Sequence, residues 1–349
     1  MTRFSESVVE QAGGGRMRIG PMSRQCMFTV ATLILFGCAR ADRSGEFRVA
    51  LVTPGSIADA SWNAGAYAGL LLIRDSLGAS VSHVEARTPG EQEEAMRAYA
   101  SQGYQMVLAH GFEFQDAAER VAAIYPDVVF VVTSGQRLAG NVVPLVFRLS
   151  EAAYLAGMVA GSLTKTNRIG YVGGIELPPV RLAYEAWAAG AAAVNAAVDS
   201  RSVYLNNFDD AVAGREASLA MIRLGVDMLH HNADAAGLGV FQAAKDNPGV
   251  YVFGSNADQA PVAPERVLGS AIIDLSRSFL LIARELKEDR FVPRVESFGL
   301  ESGVVRYVPN PALAHLIPDS VRAKVAVAEA AIRSGVLVVV DRETGRVLP

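Results

Sequence analysis

The run V-V-F-V-V-T at residues 128–133 decides the fold. Apart from Phe130, every residue in it is β-branched, and no polar residue alternates with the apolar ones. A strand with one wet face alternates. An unbroken run of this length is buried on both faces, as in a parallel sheet covered by helices on each side. The flanking sequence agrees. Residues 115–124 have helical apolar spacing and stop ahead of Pro126, because the residue before a proline avoids the helical region. Residues 141–147 form the next extended stretch. Toward the N-terminus the pattern alternates again. Strands are expected at 106–110, 81–84 and 47–53. Helices are expected at 91–101, ended by Gly103, and at 62–77, stopped by Gly78.

A second series follows. Helices are expected at 151–163, 180–197, 214–224, 237–245 and 275–288, with a last one opening at Pro318 and running to 333. Strands are expected at 168–172, 202–205, 228–231, 250–253, 267–273, 304–308 and 336–340. Alternation of this kind predicts an α/β protein of two doubly wound, parallel-sheet lobes. Ligands of such sheets bind outside the carboxyl ends of the strands. Two lobes facing one another there make a hinged cleft.

Composition narrows the class. The 349 residues are 51% hydrophobic and 19% charged, with a net charge of −4 and two cysteines. That is too apolar for a disordered chain and too poor in cysteine for a disulfide scaffold. The charge gives no footprint for nucleic acid. Near the N-terminus, Arg16, Arg18 and Arg24 precede the apolar run M-F-T-V-A-T-L-I-L-F at 27–36, which reads as a secretory signal. Leu35-Phe36-Gly37-Cys38 resembles a bacterial lipobox, with Phe36 where a small residue is usual. Residues 1–37 are then a signal peptide, Cys38 is the lipidated first residue, and 38–46 are a linker. The alternative is cleavage elsewhere, with Cys38 incidental. On the lipoprotein reading Cys26 leaves with the signal, so no free thiol remains for catalysis or metal binding.

The loops at the strand ends hold the candidate site. Thr53-Pro54-Gly55-Ser56-Ile57-Ala58-Asp59-Ala60-Ser61-Trp62-Asn63 is polar and ends in an aromatic. Trp62 offers a stacking face and Asn63 both donates and accepts; the alternative is a Trp packed under its own helix. His110-Gly111-Phe112-Glu113-Phe114 places two aromatics beside a glycine, both candidates for the cleft. It lacks the H-E-x-x-H pattern of a zincin. Phe208 lies in another polar loop. Asn232 and Asp234 follow the strand carrying His230 and His231, whose side chains alternate across the sheet and so do not chelate one metal. Ser255, Asn256 and Asp258 suit a hydroxyl-rich or base ligand, or form a capping loop. Ser162-x-x-Lys165 matches a penicillin-binding pattern without its partner motifs. No nucleophile elbow or carboxylate cluster is visible, which argues against an enzyme such as a nucleoside hydrolase.

Several of these stretches together resemble the basic membrane protein family of bacterial lipoproteins, type I solute-binding proteins of which several serve nucleoside ABC importers. They are Asp59-x-Ser61-Trp62-Asn63, Glu151-Ala-Ala-Tyr154-Leu155-Ala156-Gly157, Ile169-Gly170-Tyr171-Val172-Gly173-Gly174, Phe208-x-Asp210, Gly254-x-Asn256-x-Asp258-Gln259, and Gly299-Leu300 with Gly303-Val304. The His110–Phe114 stretch is similar to a Med-like subgroup. The resemblance implies that Trp62 and Phe208 sandwich a base and that Asn63 makes a polar contact. Three departures stand out: Thr53 replaces a base-contacting Asp, Asn256 replaces a ribose-holding Asp, and Asp274 falls near a cleft Lys. The implied topology is discontinuous, with lobes of 47–147 plus 268–300 and of 148–267 plus 301–349, hinged near Phe147, Val267 and Leu300. The expected function is capture of a small planar ligand, a purine base or nucleoside, for an ABC permease. The alternative is a sensing lipoprotein that does not transport. No cofactor or metal is implied. The chain is expected to be exported, lipid-anchored and monomeric.

Overall fold

The computed structural model describes residues 45–340. The signal segment, Cys38 and residues 341–349 lie outside the described residues. In the first series the elements are β1 (Arg48–Thr53), α1 (Trp62–Leu77), β2 (Ser80–Glu85), α2 (Pro89–Ser101), β3 (Met106–Ala109), α3 (Gln115–Ala122), β4 (Val129–Thr133) and β5 (Val142–Phe147). The second series holds α4 (Leu149–Leu163), β6 (Arg168–Gly173), α5 (Pro178–Val194), β7 (Asp199–Tyr204), α6 (Ala211–Arg223), β8 (Met228–Asn232), α7 (Gly237–Asp246), β9 (Tyr251–Asn256) and β10 (Val267–Ile273). The chain closes with α8 (Leu275–Lys287), β11 (Glu296–Phe298), β12 (Val305–Pro309) and α9 (Asp319–Arg333).

Two six-stranded sheets result. The first has the order β11-β5-β4-β3-β1-β2, and every neighbouring pair in it is parallel. The β-branched run forms β4 near its centre, buried at every position. The second has the order β12-β10-β9-β8-β6-β7, parallel throughout except where β12 runs against β10. The doubly wound two-lobe expectation therefore holds, with one antiparallel edge strand added.

Local chemistry accounts for the boundaries. The Asp59 carboxylate accepts from the backbone N–H groups of Ser61, Asn63 and Ala64 at 2.8–2.9 Å, which caps α1. Gly78 ends that helix at φ 63°, a left-handed conformation that favours glycine. α2 opens with a capping box between Thr88 and Glu91 and has Pro89 in its first turn. In the second lobe α4 and α5 pack so closely that a Cβ on Gly157 would lie 2.0 Å from the Trp187 carbonyl oxygen. One on Gly190 would lie 2.0 Å from that of Tyr154.

Three connections join the lobes, and sheet membership corrects one expected position. The first falls between β5 and α4, beside Phe147. The second was expected near Val267. However, β10 begins there and pairs with β9 and β12, so the crossing comes after Ile273, at Asp274. From there α8 returns to the first lobe and packs against α1, where a Cβ on Gly69 would touch the Phe279 ring at 2.8 Å. The third runs from β11 through Leu300 to β12. Arg148 gathers the first and third: it bonds Ser297 Oγ at 2.6 Å and Glu151 at 2.6 Å, and pairs with Glu301.

The expected strand at 336–340 joins neither sheet. Gly335 turns left-handed at φ 75°, and the N–H groups of Val336 and Leu337 both donate to Ala331 O, closing the end of α9. Those donors are then lost to a ladder. β11 is missing from the sequence reading because three residues, two of them polar, give no periodicity.

Candidate ligand-binding cleft

A cavity of about 390 Å³ lies between the lobes at the carboxyl ends of the strands, within the size range of small-molecule sites. Seven predicted site residues line it: Trp62, Asn63, Phe112, Phe208, Asn232, Asp234 and Asn256. Two others do not. Asp258 turns back to accept from the Ala260 N–H at 3.1 Å, and Asp274 caps α8 by accepting from the Arg277 N–H at 3.0 Å. Both act as local caps, the ordinary use of Asp at such positions. Phe114, a neighbour of Phe112, is fully buried in the core of the first lobe.

Trp62 opens α1, and one of its faces is already covered. The His110 ring stacks on it at 4.2 Å between centroids and 24° between planes, while Phe147 meets it edge-on at 6.2 Å. His110 is fixed in turn: its Nε2 lies 3.1 Å from Trp62 O and its Nδ1 lies 3.0 Å from Thr133 Oγ1. Burial pushes the His110 pKa down to about 3, so the prop is a neutral ring at physiological pH. The Trp is thus both packed by its own lobe and part of the cavity wall. Phe208 enters from the other lobe, on the loop after β7. Its ring packs against Gly174, where a Cβ would fall 2.1 Å from Cδ1 of the ring. A glycine is required there if the phenyl is to hold this place.

The polar floor is shared between lobes. Ser61 Oγ lies 3.1 Å from Asp234 Oδ1 and 3.3 Å from Ser255 O. Asn256 Nδ2 faces Asn232 Oδ1 and Asp234 Oδ1 at 3.2 Å and Ser61 Oγ at 3.4 Å. Gln259 Nε2 reaches Ala60 O across the same seam at 3.4 Å. Four lining residues, Ser134, Asn206, Asp234 and Asn256, have positive φ without being glycine. Such conformations cost energy and gather where surrounding structure imposes them for a purpose.

Two carboxyls meet in the cavity, one from each lobe. Burial first, and then the charge of Asp59, raises the Asp234 pKa to about 8. Burial raises Glu113 to about 7. Glu113 lines the cavity and keeps exposed surface, so water in the cleft tempers that rise. No such pair is visible in the sequence, because its members lie on loops of different lobes. In the sequence Glu113 stands only in a stretch that lacks a zincin pattern, with no local sign of its place in the cavity. Gln92, also lining the cavity, sits in the first turn of α2, where nothing in the sequence marks it. Thr53 is buried away from the cavity, bonded to Gly55 O at 2.8 Å and beside His83 Nε2 at 2.9 Å. His230 and His231 point to opposite sides of β8 as expected, one onto Ser255 Oγ and the other onto Gln259 Oε1, each at 3.0 Å.

Two lobes, three crossings and a cleft at the strand ends define a hinged solute-binding protein. Residues 47–335 match the Bmp family, described as ABC transporter substrate-binding proteins of PnrA-like type. The chain is 31% identical to basic membrane protein A of Borreliella afzelii over 278 residues, covering 77% of this chain and 84% of that one. It is 24% identical to the transcriptional activator protein med of Bacillus subtilis over 286 residues, covering 81% and 89%. Among solved structures, an ABC transporter solute-binding protein from Aeropyrum pernix superposes with a TM-score of 0.78 at 21% identity, covering 86% of this chain and 95% of that one. The chain belongs to the Bmp family of ABC transporter substrate-binding proteins.

Proposed function

We propose that this chain is an exported lipoprotein, anchored through Cys38, that closes on a purine base or nucleoside and presents it to an ABC permease. One observation carries the ligand class: Trp62 from one lobe and Phe208 from the other line the same cavity, each backed on one side by protein. Stacking of a planar ring supplies ~1–3 kcal/mol per base, and the polar floor orients it. The test is a thermal-shift screen of the purified protein with nucleobases and nucleosides, since a binder raises Tm by mass action. A rise of several degrees with at least one purine is expected. No shift with any of them would sink the ligand class. Radiolabelled palmitate incorporation that disappears in Cys38→Ala tests the anchor.

A sensing role without transport is the second reading. It is favoured by the similarity to med and by the His110–Phe114 stretch. Uptake of the ligand by cells lacking the gene separates the two: unchanged uptake with altered transcription would favour sensing.

A further inference from the structure

The cleft wall carries two carboxyls, Glu113 and Asp234, and a single basic side chain that is already paired. Besides the Glu113 carboxylate and Asp234, two amide oxygens of lining residues, Asn63 Oδ1 and Gln92 Oε1, are buried without any hydrogen-bond partner. Asn63 is 4% exposed and Gln92 2%. The Asn63 orientation is fixed, because its Nδ2 donates to Asp59 Oδ2 at 2.9 Å, leaving the oxygen as the orphan. Both oxygens are sealed from the cavity space, so they stand behind its wall and the carboxyls form its acceptor surface.

The charges point the same way. Among the described residues neither Glu113 nor Asp234 makes an ion pair, and the charge of Glu113 adds to the rise at Asp234. The one basic side chain in the cavity wall is Arg87. It is already held by Glu85 at 2.5 Å and Asp209 at 2.8 Å. Asp59, behind the floor, is likewise acidic and is occupied in capping α1.

We propose that the cleft selects a cationic planar ligand, a nitrogen heterocycle with a delocalised positive charge whose N–H edge lies toward Glu113 and Asp234 with the ring between Trp62 and Phe208. This rests on the planar-ligand reading above and adds charge to it. The cation supplies the counter-charge that Glu113 and Asp234 lack. It also implies rejection of phosphorylated ligands, whose charge matches that of the wall.

Adenosine and 1-methyladenosine test it. They share a shape, but ring methylation makes the second cationic at neutral pH. Titration calorimetry at pH 7 is expected to show 1-methyladenosine bound at least about tenfold more tightly than adenosine, and adenosine 5′-monophosphate more weakly than either. In Glu113→Gln and in Asp234→Asn the preference should shrink toward unity. Should either variant fail to fold, the order of the three ligands on the unaltered protein decides alone. If adenosine binds as tightly as its methylated form, the charge proposal fails while the nucleoside reading stands. If none of the three binds, the charge proposal fails and the thermal-shift screen alone decides the nucleoside reading.

Discussion

Arg87 and Asp209 form an ion pair of 2.8 Å that joins the first lobe to the second at the rim of the cleft. Both side chains are about half exposed, so the pair contributes little to stability, roughly 0–1 kcal/mol. Its position gives it a kinetic role, because it must break whenever the lobes part. Asp209→Asn is therefore expected to weaken ligand binding by no more than about fivefold, through faster dissociation, with the difference fading at high salt. Stopped-flow dissociation at low and high salt measures this. A hundredfold loss would mean that Asp209 touches the ligand itself.

The stacked His110–Trp62 pair makes a different prediction. Trp62→Ala removes a cavity wall and should cost ~1–3 kcal/mol in binding, about 5–150-fold, if a base stacks there. His110→Ala leaves the indole in place but removes its prop, so a smaller loss is expected. Calorimetry with the tightest ligand from the thermal screen gives both values. Equal affinity in Trp62→Ala would remove Trp62 from the site.

Those two aromatics also show what the sequence could and could not reveal. The lobes were legible because β4 is a continuous β-branched run, because strand-like and helix-like stretches alternate on either side of it, and because Gly78, Gly103 and Gly225 punctuate the helices. Trp62, Phe112 and Phe208 were legible as aromatics stranded in polar loops. Asp258 looked equivalent to Asp234, since a loop Asp reads the same whether it caps a helix or lines a cavity, and Asp274 entered only through its place near the family's cleft Lys. Only the fold separates them. Glu113 escaped because its partner lies on the other lobe, a pairing that no local pattern encodes. The second crossing was misplaced because β10 carries no mark of which sheet it joins.

Gly157 gives a test of the second lobe. In an isolated helix Gly→Ala gains ~1 kcal/mol. Here the added methyl would lie 2.0 Å from the Trp187 carbonyl oxygen, a backbone atom that moves only if α4 and α5 separate. Overpacking of this kind costs ~1–3 kcal/mol or more, so the clash outweighs the propensity. Gly157→Ala should lower Tm by several degrees. A higher Tm would show that the two helices are not held at this spacing.

The carboxyls of the cleft predict how the ligand-free protein responds to pH. Asp234 rises from 3.8 to about 8 on folding and Glu113 from 4.5 to about 7. Each binds its proton more tightly in the folded state, so each stabilises the fold at low pH, and that contribution is lost as pH rises through the folded value. The buried histidines act in the opposite direction. His110, His230 and His231 fall from 6.5 to about 3, 3 and 4, so their contribution is lost as pH drops below 6.5. At pH 6.5 the unfolded histidines are still half protonated and nearly offset the carboxyls; between about pH 7.5 and 8.5 they are largely neutral in both states and the carboxyls dominate. Tm should fall across that interval, and the fall should be smaller in Glu113→Gln and smallest in the double variant with Asp234→Asn. A Tm that is flat or rising in the unaltered protein would mean that both carboxyls are already ionised at neutral pH.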